Sequence, residues 1–171
     1  MKTIKATLIY VKNIGNVLLA KKRRKIGAGL WNGYGGKLKK NDTFLKNACD
    51  EFEKESGGAI LGEKKLEPQA LIGFFSYKNF SEVPDFTVLV YTIQHFYVHG
   101  DPVKTDEMGD PQWFNRQDIP YNEMLPPDRI FLPRILDGDI FITNFRFNDK
   151  KKTSATEFGY REVVRRELPL R

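Results

Sequence analysis

Apolar residues along the chain follow two spacings, one typical of β-strands and one typical of an amphipathic α-helix. Short runs rich in Val, Ile, Phe and Tyr, bounded by Gly, Pro, Asn or Asp, predict strands. Seven segments have this character: residues 3–11, 16–20, 69–80, 85–100, 111–115, 140–148 and 155–164. The first two flank the sequence KNIGN, which predicts a turn between them.

The strongest helix prediction covers residues 43–56, between a polar turn and a pair of glycines. Four apolar residues recur there at helical spacing: Phe44, Leu45, Ala48 and Phe52. Asn41, Asp42 or Thr43 is expected to cap the start of this helix, and Gly57–Gly58 is expected to end it.

A second, shorter helix is predicted near residues 128–136. It lies within residues 117–139, a segment whose four prolines otherwise predict a loop. No repeat or low-complexity linker divides the chain. The pattern therefore predicts one α+β domain over residues 1–171, with mixed strands and two or three helices.

Composition agrees with a folded globular chain. Hydrophobic residues make up 40% of the 171 residues and aromatic residues 13%, which is enough for a substantial core. The longest apolar run, residues 86–93, has the length of a strand and is too short to cross a bilayer. The first residues lack the features of a signal peptide. Cys49 is the single cysteine, so an intramolecular disulfide is excluded and a cytoplasmic location is expected.

The net charge of +6 favours a phosphate-bearing ligand, whether small or polymeric. Much of the excess lies in residues 21–25, 150–152 and 161–166, and such runs are most often solvated surfaces. A basic tail is expected at about residues 164–171, frayed at its end. Since no RNA-binding motif or series of stacking aromatics accompanies the charge, binding of a nucleic acid polymer is the minor alternative.

Two carboxylates on the predicted helix are candidate metal ligands. Glu51 and Glu55 are four residues apart and share a face, with Lys54 close to it. Two carboxylates at this spacing can hold Mg²⁺, which needs few protein oxygens when substrate phosphates complete its shell. The preceding Gly35–Gly36 turn allows the backbone to approach a ligand closely. By spacing alone, however, a solvated charged helix is the commoner explanation.

Residues 36–58 resemble the Nudix box, G-x5-E-x7-R-E-U-x-E-E-x-G-U, in which U is a bulky aliphatic residue. Four positions match: Gly36, Glu51, Glu55 and Gly57. Two are chemically close, Asp42 and Phe52, and three depart, Asp50, Lys54 and Gly58. The box alone is a motif of moderate specificity.

The surrounding segments extend the resemblance over nearly the whole chain. They include GAGLWNGYGGK at residues 27–37, PVKTDEM at 102–108, IPYNEMLPPD at 119–128 and YREV at 160–163. These segments are similar to MutT-like purine nucleoside triphosphate pyrophosphohydrolases, which remove oxidised nucleotides. The resemblance implies a Nudix fold, with a mixed sheet between helices. It also implies hydrolysis of a small nucleotide substrate, a nucleoside triphosphate such as an oxidised purine one, to nucleoside monophosphate and pyrophosphate, with Mg²⁺ as the cofactor or Mn²⁺ in its place.

The resemblance also implies roles for individual residues. The expected metal ligands are the carbonyl of Gly36 and the carboxylates of Glu51, Glu55 and Glu107, and the three glutamates are the expected catalytic groups. The expected substrate contacts are Thr7, Lys22, Asn32, Leu125 and Asp128. Leu125 stands where relatives have an aromatic residue and Pro127 where they have an aspartate, so a preference for oxidised purines is an open question.

Asp50 and Lys54 exchange the charges that the box places there. An acid four residues before a lysine predicts a helical ion pair worth roughly 0.2–0.5 kcal/mol. One hypothesis is an enzyme with fewer metal ligands, and the other is a catalytically weak or inactive Nudix fold that binds nucleotides. Action on another nucleoside diphosphate-linked substrate or an RNA 5′ end is a further alternative. Monomer and homodimer are both open.

Overall fold

The computed structural model describes residues 2–169. Within this range the chain forms ten strands: β1 (Ile4–Asn13), β2 (Asn16–Lys21), β3 (Trp31–Asn32), β4 (Ile60–Leu61), β5 (Glu67–Phe75), β6 (Phe86–Gln94), β7 (Val98–His99), β8 (Gln112–Asn115), β9 (Phe141–Phe147) and β10 (Ala155–Glu162). The α-helices of the same residues are α1 (Phe44–Glu55) and α2 (Asp128–Asp137). Neither helix in this range is long and apolar enough to span a membrane.

The main sheet is mixed. Its order is β10-β9-β5-β6-β1-β2-β3, and β8 also pairs with β2. The β1–β6 and β5–β9 pairs are parallel, whereas β1–β2, β5–β6 and β9–β10 are antiparallel. The two-residue strands β4 and β7 form a separate ribbon.

The seven predicted strand segments all contain strands, with two corrections. The segment predicted as one strand over residues 85–100 is divided, because a single 3-10 turn at His95–Tyr97 separates β6 from β7. The segment predicted at residues 69–80 ends earlier, at Phe75.

Hydrophobic clusters cover both faces of the sheet. Successive residues of β1 point to opposite faces, so Ile9 and Val11 join the cluster under α1 and Tyr10 joins the cluster under α2. Phe52 of α1 and Phe131 of α2 are almost completely buried in their respective clusters. The two helices therefore enclose the sheet, which confirms the predicted α+β architecture of a sheet between helices.

Helix α1 is fixed at both ends. Thr43 is the N-cap among the three candidates, and its side-chain oxygen accepts a hydrogen bond from the Lys46 backbone N–H at 3.1 Å. At the other end Gly57 adopts a φ of 77°, which favours glycine and ends the helix. The buried face of α1 contains polar residues beside its apolar ones, and these include Asn47, Glu51 and Glu55.

The C-terminal segment is anchored to β5 through Arg165, and Leu168 is buried. Leu168 is only 3% exposed, and the Arg165 guanidinium donates to the Pro68 carbonyl and the Gln69 side chain at 3.2 Å each. The expectation of a frayed end falls on residues 170 and 171, which lie outside the described residues.

Candidate active site

Two glutamates of α1 are buried against the glycine turn that precedes the helix. Glu51 is 6% exposed and Glu55 is 3% exposed. The Gly35 backbone N–H donates to Glu55 Oε2 at 2.9 Å. A Cβ atom added to Gly36 would lie 2.4 Å from Glu51 Oε2, so the close approach of this carboxylate requires glycine. The carboxylates therefore belong to a built site, which contradicts the explanation of a solvated charged helix.

Asn47 holds the glycine turn in place. Its side-chain Nδ2 donates to Thr7 Oγ1 at 3.0 Å and to the Gly36 carbonyl at 3.2 Å. The Gly36 carbonyl also accepts from the Thr7 backbone N–H at 2.9 Å. A metal ion at the Gly36 carbonyl would compete with the Asn47 and Thr7 donors. The role of this carbonyl as a metal ligand therefore stays a prediction. Sequence analysis did not predict this role of Asn47. The position of a polar residue beside the apolar stripe of α1 could have indicated it.

Glu107 lies on the loop between β7 and β8, and cations surround it. Among the described residues its ion-pair partners are Arg24 Nη2 at 2.8 Å, Lys54 Nζ at 3.0 Å and Lys25 Nζ at 3.6 Å. Burial acts to raise the pKa of Glu107, but hydrogen bonds from Lys54 and Arg24 outweigh it and hold the pKa at about 2. Glu107 is therefore ionised and neutralised by protein cations.

The predicted ion pair between Asp50 and Lys54 is wrong. Asp50 instead pairs with Lys46, one turn earlier on α1, and Lys54 reaches across to Glu107. The hydrogen bond to Glu107 raises the pKa of Lys54 above its usual value. Lys54 therefore stays charged and serves a tertiary contact instead of a helical one.

The basic loop at residues 21–25 is joined to the Glu107 loop by backbone contacts. The Arg23 N–H donates to the Glu107 carbonyl at 2.9 Å, and the Arg23 guanidinium donates to the Thr105 carbonyl at 2.7 Å. The Thr105 hydroxyl in turn donates to the Glu55 carbonyl at 3.1 Å. These bonds fix the basic loop, the Glu107 loop and the end of α1 as one unit.

Glu55 and Glu51 differ in their surroundings. Burial raises the pKa of Glu55 to about 7, although the Gly35 N–H and nearby Lys22 act to lower it. Glu51 Oε1 forms an ion pair with Lys39 Nζ at 3.2 Å. The site thus holds one carboxyl group that exchanges its proton near neutral pH and one that is paired with a lysine.

A cleft of about 420 Å³ joins this carboxylate cluster to an aromatic pocket. All nine predicted site residues line it: Thr7, Lys22, Asn32, Gly36, Glu51, Glu55, Glu107, Leu125 and Asp128. The structure therefore brings together every residue that the sequence resemblance assigned to the site.

The aromatic pocket at the far end of the cleft contains residues that sequence reasoning missed. Its walls include Phe74, Phe131 and Phe147, and the rings of Phe74 and Phe147 stack with centroids 6.4 Å apart. Lys152 also lines the cleft. Apolar side chains on strands and helices are usually core residues, so only the fold could show that these line a cavity.

Asn32 and Asp128 are polar residues that also line the cleft. The Asn32 side-chain oxygen accepts from the Gly33 N–H at 2.9 Å, which orients the amide. Asp128 is 5% exposed in the first turn of α2. Burial raises the pKa of Asp128 to about 8, and a backbone hydrogen bond at Leu125 acts in the opposite direction. Asp128 is therefore largely protonated at neutral pH and can donate a hydrogen bond.

The residues that could hold a metal ion are two neighbouring carboxylates of α1. Over residues 2–169 no group of three or more His, Cys, Asp and Glu side chains is close enough to hold a metal ion. Glu51 and Glu55 lie side by side on α1 and both line the cleft, so they could hold Mg²⁺ completed by substrate oxygens. Glu107 is engaged by cations instead.

The fold and the cleft define this chain as a Nudix hydrolase. The chain belongs to the NUDIX domain family, whose model matches residues 2–135. It is similar to the oxidized purine nucleoside triphosphate hydrolase of Mus musculus, with 32% identity over 157 residues, covering 92% of this chain and 94% of the relative. The protein of the same name from Danio rerio is 33% identical over 141 residues, covering 82% and 85%.

Solved structures show the same fold. The mutator MutT protein of Bacillus halodurans superposes with a TM-score of 0.74 at 18% identity, covering 93% of this chain and 97% of that one. A MutT Nudix hydrolase of Burkholderia pseudomallei gives 0.66 at 22% identity, covering 79% and 99%. These structures confirm the predicted Nudix fold, and the family match with the mouse and zebrafish relatives confirms the MutT-like hydrolase class.

Proposed function

We propose that this Nudix hydrolase cleaves a nucleoside triphosphate, with Mg²⁺, into nucleoside monophosphate and pyrophosphate. The single observation that carries the proposal is the cleft, which is lined both by two buried α1 glutamates and by aromatic side chains together with Asn32 and Asp128. A nucleotide has the matching polarity, with an anionic chain at one end and a flat base at the other.

The aromatic end supports a purine. Phe74 and Phe131 offer apolar surface to a base, and the Asn32 amide can present a donor and an acceptor to a purine edge. Protonated Asp128 can donate to a base nitrogen or oxygen at neutral pH. The substrates named for the mouse and zebrafish relatives make oxidised purine nucleoside triphosphates the first substrates to test. Leu125 stands where relatives have an aromatic residue, so the base preference should be measured.

The carboxylate end supports phosphate chemistry. Mg²⁺, or Mn²⁺, when bound would neutralise phosphate charge and lower the pKa of a bound water. Glu51 and Glu55 would hold the ion, and Lys22 would meet phosphate oxygens. Glu51, Glu55 and Glu107 are the proposed catalytic carboxylates, and all three line the cleft.

A nucleotide-binding protein with weak catalysis is the second candidate. The observation that favours it is the neutralisation of Glu107 by Arg24, Lys25 and Lys54, which leaves fewer carboxylates for metal. Such a protein would bind the nucleotide in the same cleft but release little pyrophosphate.

The test is a pyrophosphate-release screen over canonical and oxidised nucleoside triphosphates, nucleotide sugars, dinucleoside polyphosphates and 5′-triphosphorylated RNA, with and without Mg²⁺. The proposal expects Mg²⁺-dependent turnover of a nucleoside triphosphate. Glu55→Gln should lose about 100-fold or more in rate, and the exposed Glu53→Gln on the same helix should retain it. Nucleotide binding without turnover would select the second candidate.

A further inference from the structure

Lys54 lies in the cluster around Glu107, at the edge of the nucleotide cleft. Its Nζ is 3.0 Å from Glu107 Oε1, and 53% of its side chain is exposed. An ammonium group has three N–H donors, and the ion pair with Glu107 uses one of them. Lys54 immediately precedes Glu55 on α1 and lines the same cleft. The ammonium is thus anchored on one side and open to a ligand on the other.

The charge of the cleft favours an anion. Among the described lining residues, five lysines face four carboxyl groups: Lys22, Lys25, Lys37, Lys54 and Lys152 against Glu51, Glu55, Glu107 and Asp128. Arg24 adds a further cation at Glu107. A surplus of positive charge in a partly enclosed cleft attracts polyphosphate and repels a second divalent cation.

We propose that Lys54 is a phosphate-binding residue, a fixed protein cation beside Glu107 that contacts the polyphosphate chain. This inference rests on the proposed function and deepens it, since it names the group that replaces a metal ligand of the box. Its consequence is that the cleft binds inorganic triphosphate and pyrophosphate without a divalent metal.

Glu107 has a defined part in this arrangement. Its carboxylate lies among Lys54, Arg24 and Lys25, so its negative charge offsets theirs and repels a phosphate bound nearby. Removing the Glu107 charge should therefore strengthen phosphate binding, whereas removing the Lys54 charge should weaken it. If Lys54 served only to position the Glu107 loop, both changes would loosen the cleft and both would weaken binding.

The experiment is calorimetric titration of inorganic triphosphate into the intact protein in EDTA. Wild type should bind, Lys54→Gln should bind about tenfold more weakly, and Glu107→Gln should bind more tightly. Lys46→Gln is the matched control, because Lys46 lies on the same helix and pairs with Asp50 outside the cleft. It should change affinity less than about twofold. Thermal melting of each variant separates unfolding from loss of binding.

Two results would overturn the inference: wild type fails to bind in EDTA, or Lys54→Gln binds as tightly as wild type. A fall in affinity for both Lys54→Gln and Glu107→Gln in folded protein would assign Lys54 a positioning role instead. Because this titration uses neither metal nor nucleotide, its failure leaves Mg²⁺-dependent hydrolysis standing. Binding of triphosphate in EDTA would support the inference whether or not the protein hydrolyses nucleotides.

Discussion

Replacing Asp128 with Asn is expected to remove a pH dependence from the stability of the folded protein. Asp128 is 5% exposed, and burial raises its pKa to about 8, whereas an aspartate in an unfolded chain has a pKa near 3.9. Asn has nearly the same shape but does not titrate. The substitution therefore isolates the cost of ionising this one buried group.

The sign follows from proton binding. Below about pH 4 both folded and unfolded chains hold the Asp128 proton, and this group has no effect on stability. Between about pH 4 and about pH 8 the unfolded chain has lost the proton and the folded chain keeps it, so stability falls as pH rises. At about 1.4 kcal/mol per pKa unit, the loss reaches at most on the order of 5 kcal/mol.

The assay is urea unfolding of wild type and Asp128→Asn at several values between pH 4 and pH 9. The free energy of unfolding of the variant, relative to wild type, should grow steadily up to about pH 8 and then level off. Exposed Asp118→Asn controls for the loss of a surface charge. A difference between Asp128→Asn and wild type that stays constant over this range would refute the account of a buried, protonated Asp128.

Two further predictions concern the glycine turn. Asn47→Ala removes the amide that donates to Thr7 and to the Gly36 carbonyl. Urea unfolding should show that the free energy of unfolding falls by about 1–3 kcal/mol, because buried partners are left unpaired. An unchanged free energy of unfolding would contradict this. Gly36→Ala should reduce hydrolysis about tenfold or more with modest loss of stability, because its Cβ meets the Glu51 carboxylate. Gly35→Ala should chiefly destabilise the fold, since its Cβ would lie 2.0 Å from the Thr7 backbone oxygen. A lower melting temperature for Gly36→Ala than for Gly35→Ala would contradict the geometry.

Apolar patterning predicted the long elements of the fold because their buried faces are long. Strands such as β1 and β6 bury continuous runs of side chains, and α1 buries a regular stripe. The two-residue strands β4 and β7 have no such pattern, since tertiary pairing alone creates them. For the same reason the break at His95–Tyr97 was missed: the aromatic residues there continue the strand-like composition of β6.

The candidate site was predictable where its chemistry is local and not where it depends on distant contacts. Glu51 and Glu55 share a helix face by spacing, and the resemblance added Glu107 from another segment. The partner of Lys54 was predicted wrongly because helical spacing considers only neighbours on α1, while the loop that carries Glu107 approaches from 53 residues away. The Arg24 contact with Glu107 likewise joins residues 83 apart in the chain.

The most direct test of the central claim is to identify the products by ³¹P NMR. An oxidised or canonical purine nucleoside triphosphate is incubated with the protein and Mg²⁺, with a parallel sample in EDTA. We expect nucleoside monophosphate and pyrophosphate with Mg²⁺, and no turnover in EDTA. Nucleoside diphosphate with orthophosphate, or no turnover of any nucleoside triphosphate with Mg²⁺, would contradict it.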